Sequence, residues 1–482
     1  MPESADETGS PSYEELAELV AVQKQLIEEQ TQRIARLEAE LEELRRRVGR
    51  NPRNSSIPPS AEGLGKPVAK NRAERRAEKR RQGKQPGAEG KHLAQVAAPD
   101  EIVVHAPESC RSCGGTLDGA VVIGVEVRQV FELPEMRAIV TEHRIERRRC
   151  GCGCETKAEP PAEATAPACY GPGVRALVAY LAVYQHLPYD RLARLLADVL
   201  RIEVSVGAIA QMVGEAGGAL GTFSEVIAEL LKMSPAVHFD ETGGRVGGRL
   251  QWIHVASTTL LTLLECHPRR GVVAMDEMGI LEKLSGVAIH DGWKPYRTYD
   301  VVHGLCNAHH LRELQSLVEA GQTWADEMIG LLIDAKRAVD AAKALGATCL
   351  DRSALHSIRV RYGRLIQAGW QANPLPADRK RAGVVRTAAN LLARLDHQRS
   401  NVLRFATDFA VSFDNNQAER DLRMVKLQQK ISGSWRTLAG AQNFCAIRSY
   451  VSTMRKHDAD IFSGLRQLFE GSIWLPSAVP RS

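Results

Sequence analysis

The chain has 482 residues, with 63 Lys and Arg against 58 Asp and Glu, a formal net charge of +5 and 44% hydrophobic residues. That is the balance of a globular protein of two to four domains, at ~100–200 residues each. No apolar run reaches the ~20 residues of a membrane span, so an integral membrane protein is excluded. The acidic start MPESADETGSPSYEEL lacks the apolar core of a secretory leader. These features predict a cytoplasmic protein, in which ten cysteines serve as metal ligands and buried thiols rather than disulfides.

Residues 13–48 predict a coiled coil. One heptad column is Tyr13, Val20, Ile27, Ile34, Leu41 and Val48, and the other is Leu16, Gln23, Gln30, Leu37 and Leu44. A 3.5-residue repeat keeps one seam turned to a partner, which points to self-association; the alternative is an amphipathic helix packed on its own domain. Residues 49–95 read as a flexible basic linker. RNPRNSSIPPSAEG is rich in Pro, Ser and Asn, and Lys66–Lys84 carries nine Lys or Arg and two Glu. Such a run is either a solvated tail or a phosphate contact that works by counterion release.

Residues 100–160 predict a zinc-binding β domain. Cys110 and Cys113 in CRSCGG are followed by alternating, strand-like sequence and then by Cys150, Cys152 and Cys154 in CGCGC. Two short cysteine pairs bracketing a hairpin suit a closed tetrahedral thiolate site for a structural Zn²⁺. Cys150 with Cys152 is the preferred second pair and Cys154 the spare; free thiols are the alternative. Residues 170–232 predict a helical domain. GPGVRALVAYLAVYQHLP, YDRLARLLADVL and a helix capped by Ser205 suggest helix-turn-helix geometry, against trihelical packing without DNA.

From residue 234 the pattern turns to strands. SPAVHFDETGGRV carries Asp240, two further strand-like runs follow, VVAMDEMGILEKL is amphipathic, and GVAIHDGWKPY ends an apolar strand in Asp291. Three strands, a helix and a fourth strand, with acids on the first and fourth, describe a ribonuclease H-like sheet whose strands one and four are neighbours. DNNQAERDLRMVKLQQKIS places Glu419 on a later helix that starts at Asp414–Asn416 and also carries Arg420, Arg423 and Lys426. Any single acid is most simply a turn or cap residue. The ordered set instead suggests three carboxylates that need a counter-cation, Mg²⁺ or Mn²⁺, for phosphodiester displacement. Asp240 is then expected to bridge two ions, Asp291 to hold one and Glu419 the other.

At these blocks the sequence resembles the insertion sequence 66 family of bacterial DDE transposases. The likeness rests on NPRNSSIPPS, CRSCGG, RRRCGCG, YQHLPYDRLARLL, HFDET, HDGWKPY, LCNAHHLREL and DNNQAERDLR, and covers roughly residues 14–470. The resemblance implies a DNA transposase with Asp240, Asp291 and Glu419 as its catalytic triad. It would cut and join DNA at terminal inverted repeats, insert into target DNA and associate with the nucleoid when DNA-bound. It also implies possible accessory proteins. HDGWKPY and LCNAHHLREL depart from the usual family wording, and CGCGC is denser than a simple second pair. The competing readings are a transposase-derived DNA-binding protein without catalysis and a metal-dependent DNA nuclease.

The expected architecture is therefore multidomain α/β, with a catalytic domain at 234–470. A helical insertion at about 312–405 fills much of the 128 residues between Asp291 and Glu419. Cys306 and His309 form a CxxH pair read as bracing the active site, with metal ligation as the alternative. Trp435 reads as a core residue, with stacking on an extruded base as the alternative. Glu241, Asp276, Glu277 and Asp300 read as surface or capping acids, and Cys169, Cys266, Cys349 and Cys445 as buried thiols.

Overall fold

The computed structural model describes residues 20–34, 37, 93–164, 166–374 and 383–477. The basic tract Lys66–Lys84, nearly all of the expected linker and much of the expected zipper lie outside the described residues. Residues 20–34 are helical, and Val20, Ile27 and Ile34 of one heptad column are exposed. Among the described residues, 93–141 with Leu196–Ile202 form one compact unit and the rest form another. No described helix is long and apolar enough to cross a membrane.

In the smaller unit, Val96 N–H donates to the Gln129 side chain at 2.7 Å and Val96 O accepts from it at 2.8 Å. A side-chain amide thus does the work of a ladder neighbour. The alternating run at 121–140, expected to be strand, forms none among the described residues. Alternation supplies a strand with two faces but not with a partner, and an unpaired strand leaves its backbone groups to water. Val121, Ile123, Val125 and Val140 are accordingly exposed.

In the larger unit a short hairpin pairs β1 (Arg147–Arg149) with β2 (Glu155–Lys157). Helix α1 (Pro172–Ala179) starts on a proline, whose missing N–H costs nothing in the first turn, and runs into a π-helical turn, Tyr180–Tyr184. Then come α2 (Tyr189–Leu200), whose residues from Leu196 on count with the smaller unit, α3 (Val206–Gly218) and α4 (Gly221–Lys232). Ser205 Oγ accepts from Ala208 N–H at 3.1 Å and so caps α3.

The sheet follows: β3 (Ala236–Val246), β4 (Arg249–Ser257), β5 (Thr262–His267), helix α5 (Val272–Met278), β6 (Val287–His290) and β7 (Val302–Leu305). Its spatial order is β5-β4-β3-β6-β7. Strands β3, β4 and β5 pair antiparallel, whereas β6 runs parallel to both β3 and β7. All four residues of β6 are buried, as suits a central parallel strand covered on both faces. Gly286 lets β6 begin close to the chain entering β3: a Cβ there would lie 2.1 Å from Ser234 O.

Helices α6 (Asn307–Glu319), α7 (Thr323–Ala344), α8 (Arg352–Ala372), α9 (Gly383–His397), α10 (Arg399–Val402) and α11 (Arg404–Thr407) fill the interval before the last acid. They share a core of Trp324, Met328, Leu332, Tyr362, Leu392 and Phe405 that is continuous with Val287 and Ile289 of β6. Three helices close the fold: α12 (Asn416–Ser432), α13 (Leu438–Lys456) and α14 (Ile461–Phe469). Ser449 and Thr453 of α13 accept backbone N–H bonds from Leu264 and Thr262 of β5. Helices α1, α3 and α4 rest on the same closing helices, with Phe223 edge-on to Tyr450 at 5.0 Å.

Candidate active site

Asp240 does not end its strand, as the apolar run suggested, but sits within β3 opposite Val255 of β4. It lies where the parallel neighbour stops: β6 pairs with β3 only from Ala236 to His238 and ends at His290, and Asp291 follows. Both acids therefore emerge at one end of the parallel pair, where carboxyl ends of strands open a crevice. Asp291 Oδ1 accepts Trp293 N–H at 2.8 Å, closing a tight turn through Gly292 at φ +89°. Glu419 enters from the first turn of α12 and faces Arg312 of α6 across 3.6 Å.

Burial pushes the Asp240 carboxyl well above the ordinary range, and Glu241, Asp291 and Glu419 push it further the same way. The anionic form of Asp240 thus meets a negative field. Its donors are hard oxygens, the kind that suit a divalent ion such as Mg²⁺. Among the described residues no three His, Cys, Asp or Glu side chains are gathered closely enough to hold an ion as they stand.

One buried residue ties the acids together. Asn415 caps α12, yet its side chain does not bond the helix. Its Oδ1 lies 2.9 Å from His238 Nδ1 and its Nδ2 donates to Phe239 O at 2.8 Å, so it grips β3 just before Asp240. Its backbone N–H donates to Cys306 Sγ at 3.1 Å, while Cys306 N–H donates to His290 O at 2.9 Å. Cys306 and Asn415 together join the ends of β3, β6 and α12. Cys306 is fully buried, and burial raises its thiol to about 12, so it works as a packed thiol rather than as a thiolate. His309 lies within the fields of Asp291, Glu419 and Arg312, and its Nδ1 has no partner among the described residues.

Glu241 is not a surface acid. Its side chain is 2% exposed, Oε1 takes Arg270 Nε and Nη2 at 2.9 and 2.6 Å, and Oε2 takes the Tyr296 hydroxyl at 2.6 Å. No local pattern marks this burial, because its partners lie 29 and 55 residues away. Asp276 accepts the Tyr299 hydroxyl at 2.5 Å, Glu277 pairs with His267, and Asp300 is exposed. Trp435 is a core residue, 9% exposed and against Phe444. Cys266 and Cys445 are buried as expected, but Cys169 and Cys349 are exposed. On α12, Arg420 and Arg423 are exposed, and Lys426 Nζ donates to Gly243 O at 2.7 Å.

The cysteine clusters form two tight turns. Gly114 N–H donates to Cys110 O at 2.9 Å, and Gly153 N–H donates to Cys150 O at 2.9 Å. Gly114 (φ +73°) follows Cys113 and Gly153 (φ +88°) follows Cys152, each a left-handed position that glycine takes at no steric cost. Backbone N–H groups of Cys113 and Ser112 lower the Cys110 thiol, and that of Cys154 lowers Cys152. Stabilised thiolates are what a zinc ligand set requires.

The model of the Transposase IS66 family matches residues 167–443, more than half the chain and all three acids. The chain belongs to that family. It is therefore a transposase. The zinc-finger binding domain of transposase IS66 matches residues 107–155 and includes all five clustered cysteines, so the transposase carries a zinc-finger domain. A family of unknown function (DUF6444) matches residues 8–94. No curated protein matches the chain.

Proposed function

We propose that this transposase binds the ends of its insertion sequence and cuts and joins DNA with Asp240, Asp291 and Glu419 as catalytic carboxylates. The observation that carries the reading is the placement of Asp240 within β3, Asp291 directly after β6 and Glu419 in the first turn of α12, with the Asp240 carboxyl buried among acids. The mixed sheet, antiparallel on one side of β3 and parallel on the other, supports a ribonuclease H-like core at 234–470. When bound at the three carboxylates, Mg²⁺ or Mn²⁺ would supply Lewis acidity toward the scissile phosphate and the attacking oxygen. The chain's own part is positioning. Asn415 and Cys306 fix the three acids, Lys426 braces α12 on β3, and Arg312 holds Glu419.

The remaining pieces serve DNA handling in this proposal. Residues 13–48 pair protomers, residues 49–95 contact phosphates, and Cys110, Cys113, Cys150 and Cys152 hold a structural Zn²⁺. The backbone N–H of Cys154 favours the Cys152 thiol as an anion, which suits Cys152 as a zinc ligand. The helices at 170–232 contact the ends of the element, and accessory proteins could join at that stage. The site of action is the cytoplasm, on the nucleoid when DNA is bound.

A strand-transfer assay tests the reading, using a duplex that carries the element's terminal repeats, Mg²⁺ and the full chain. Joined product is expected. Binding without cleavage would leave a DNA-binding protein, and cleavage without joining would leave a nuclease.

A further inference from the structure

We propose that Arg270 contacts a DNA backbone phosphate beside the catalytic carboxylates through the free edge of its guanidinium; the proposal rests on the transposase reading above. Arg270 lies in the turn between β5 and α5. Its guanidinium carbon is 3.9 Å from the centre of the Trp293 ring and 4.7 Å from that of Trp252. Two indoles thus cover the cation. Its Nε and Nη2 are committed to Glu241 Oε1. Nη1 has no hydrogen-bond partner among the described residues, and the side chain remains 37% exposed.

This arrangement selects the class of ligand. Aromatic rings already hold the guanidinium by cation–π contact, so stacking on a nucleobase is disfavoured. The available group is an in-plane N–H edge, which is the feature that recognises oxyanions such as phosphate. The clamp is also tied to the catalytic acids at both ends. Glu241 follows Asp240 directly, and the Trp293 N–H is bonded to Asp291 Oδ1. A phosphate on Nη1 therefore lies on the strand that crosses those acids. The clamp restricts the arginine before DNA arrives, which removes much of the ordering cost that a free surface arginine meets on binding. Arg420 and Arg423 on α12 are exposed without such a clamp. Four neighbouring carboxylates repel a polyanion, and a fixed donor on their rim offsets that repulsion locally.

The test is phosphate neutralisation combined with substitution, measured on the full chain. Fluorescence anisotropy compares a terminal-repeat duplex with duplexes in which single phosphates around the cleavage end are methylphosphonates. For wild type, one position should weaken binding by about tenfold, the range of a charged hydrogen bond. Arg270→Ala should bind the unmodified duplex about tenfold more weakly and lose sensitivity at that position alone. If Arg270→Ala keeps the wild-type profile at every position, Arg270 only braces Glu241 and the proposal is overturned. Should the alanine variant fail to fold, Arg270→Gln decides in the same way, because it keeps a donor for Glu241 without the charge. A wild type that does not bind the unmodified duplex at all overturns the proposed end binding itself, a result distinct from an unchanged profile.

Discussion

At the residue scale, Asp240, Asp291 and Glu419 are proposed to act, while Asn415, Cys306 and Glu241 support them. Asp240→Asn should lower cleavage by at least ~100-fold, since a lost metal contact removes several kcal/mol of charge stabilisation. End binding, read by gel shift, should stay near wild type; loss of both together would mean that Asp240 supports the fold. Asn415→Ala should lower stability by about 1–3 kcal/mol in urea unfolding, because it strands Phe239 O and His238 without their partner. A stability within a few tenths of wild type would remove the strut from the account. The sequence singles out Asp240, Asp291 and Glu419 as an ordered set on two strand-like blocks and a helical one, and their catalytic role remains the proposal that the variants below test. Asn415 was legible only as a helix start. Its reach to His238 spans 177 residues, and no local pattern encodes such a contact. Glu241 was misread for the same reason, since burial by Arg270 and Tyr296 is a property of the folded sheet.

At the element scale, the order of strands and helices around Asp240 and Asp291 followed from apolar runs of strand length and one amphipathic stretch. The exact ends did not. β3 continues past Asp240 because β4 goes on pairing with it as far as Val246. The run at 121–140 shows the converse, since its pattern suits a strand but no partner is supplied among the described residues. Close approach of elements gives a direct test. Gly286→Ala places a methyl 2.1 Å from Ser234 O and 2.5 Å from Pro235 O, both backbone atoms that can yield only by moving β6 from β3. Overpacking of this kind costs about 1–3 kcal/mol or more. The variant should lose stability and cleavage together, and unchanged melting would show that the strands do not approach as described.

At the scale of the whole molecule, the small net charge of +5 conceals strong local contrasts, from the acidic cluster to the basic tract at Lys66–Lys84. Deleting residues 1–48 should lower the mass found by light scattering if the heptads pair protomers, and an unchanged mass would contradict it. Cys110→Ser should lower the zinc content of the purified protein, whereas equal zinc would remove that cysteine from the ligand set. Buried histidines set an acid limit on stability. Burial lowers His254 from 6.5 to about 4 and holds His310 well below its ordinary value. The unfolded chain then binds more protons than the folded one below about pH 6.5, so stability falls as pH drops from there toward 4 and is unaffected by these groups above it. Asp240, held above its ordinary value, works in the opposite sense over the same window, so the comparison is with His254→Phe: its urea midpoint should fall less than that of wild type on acidification, and an equal fall would contradict the burial of this ring.

The most direct test of the central claim is the Mg²⁺ dependence of cleavage of a terminal-repeat duplex by wild type and by the Asp240→Asn, Asp291→Asn and Glu419→Gln variants. Metal-dependent cleavage is expected of wild type and its loss of all three variants, each still binding the duplex. Undiminished cleavage by any one of them would contradict the shared carboxylate site.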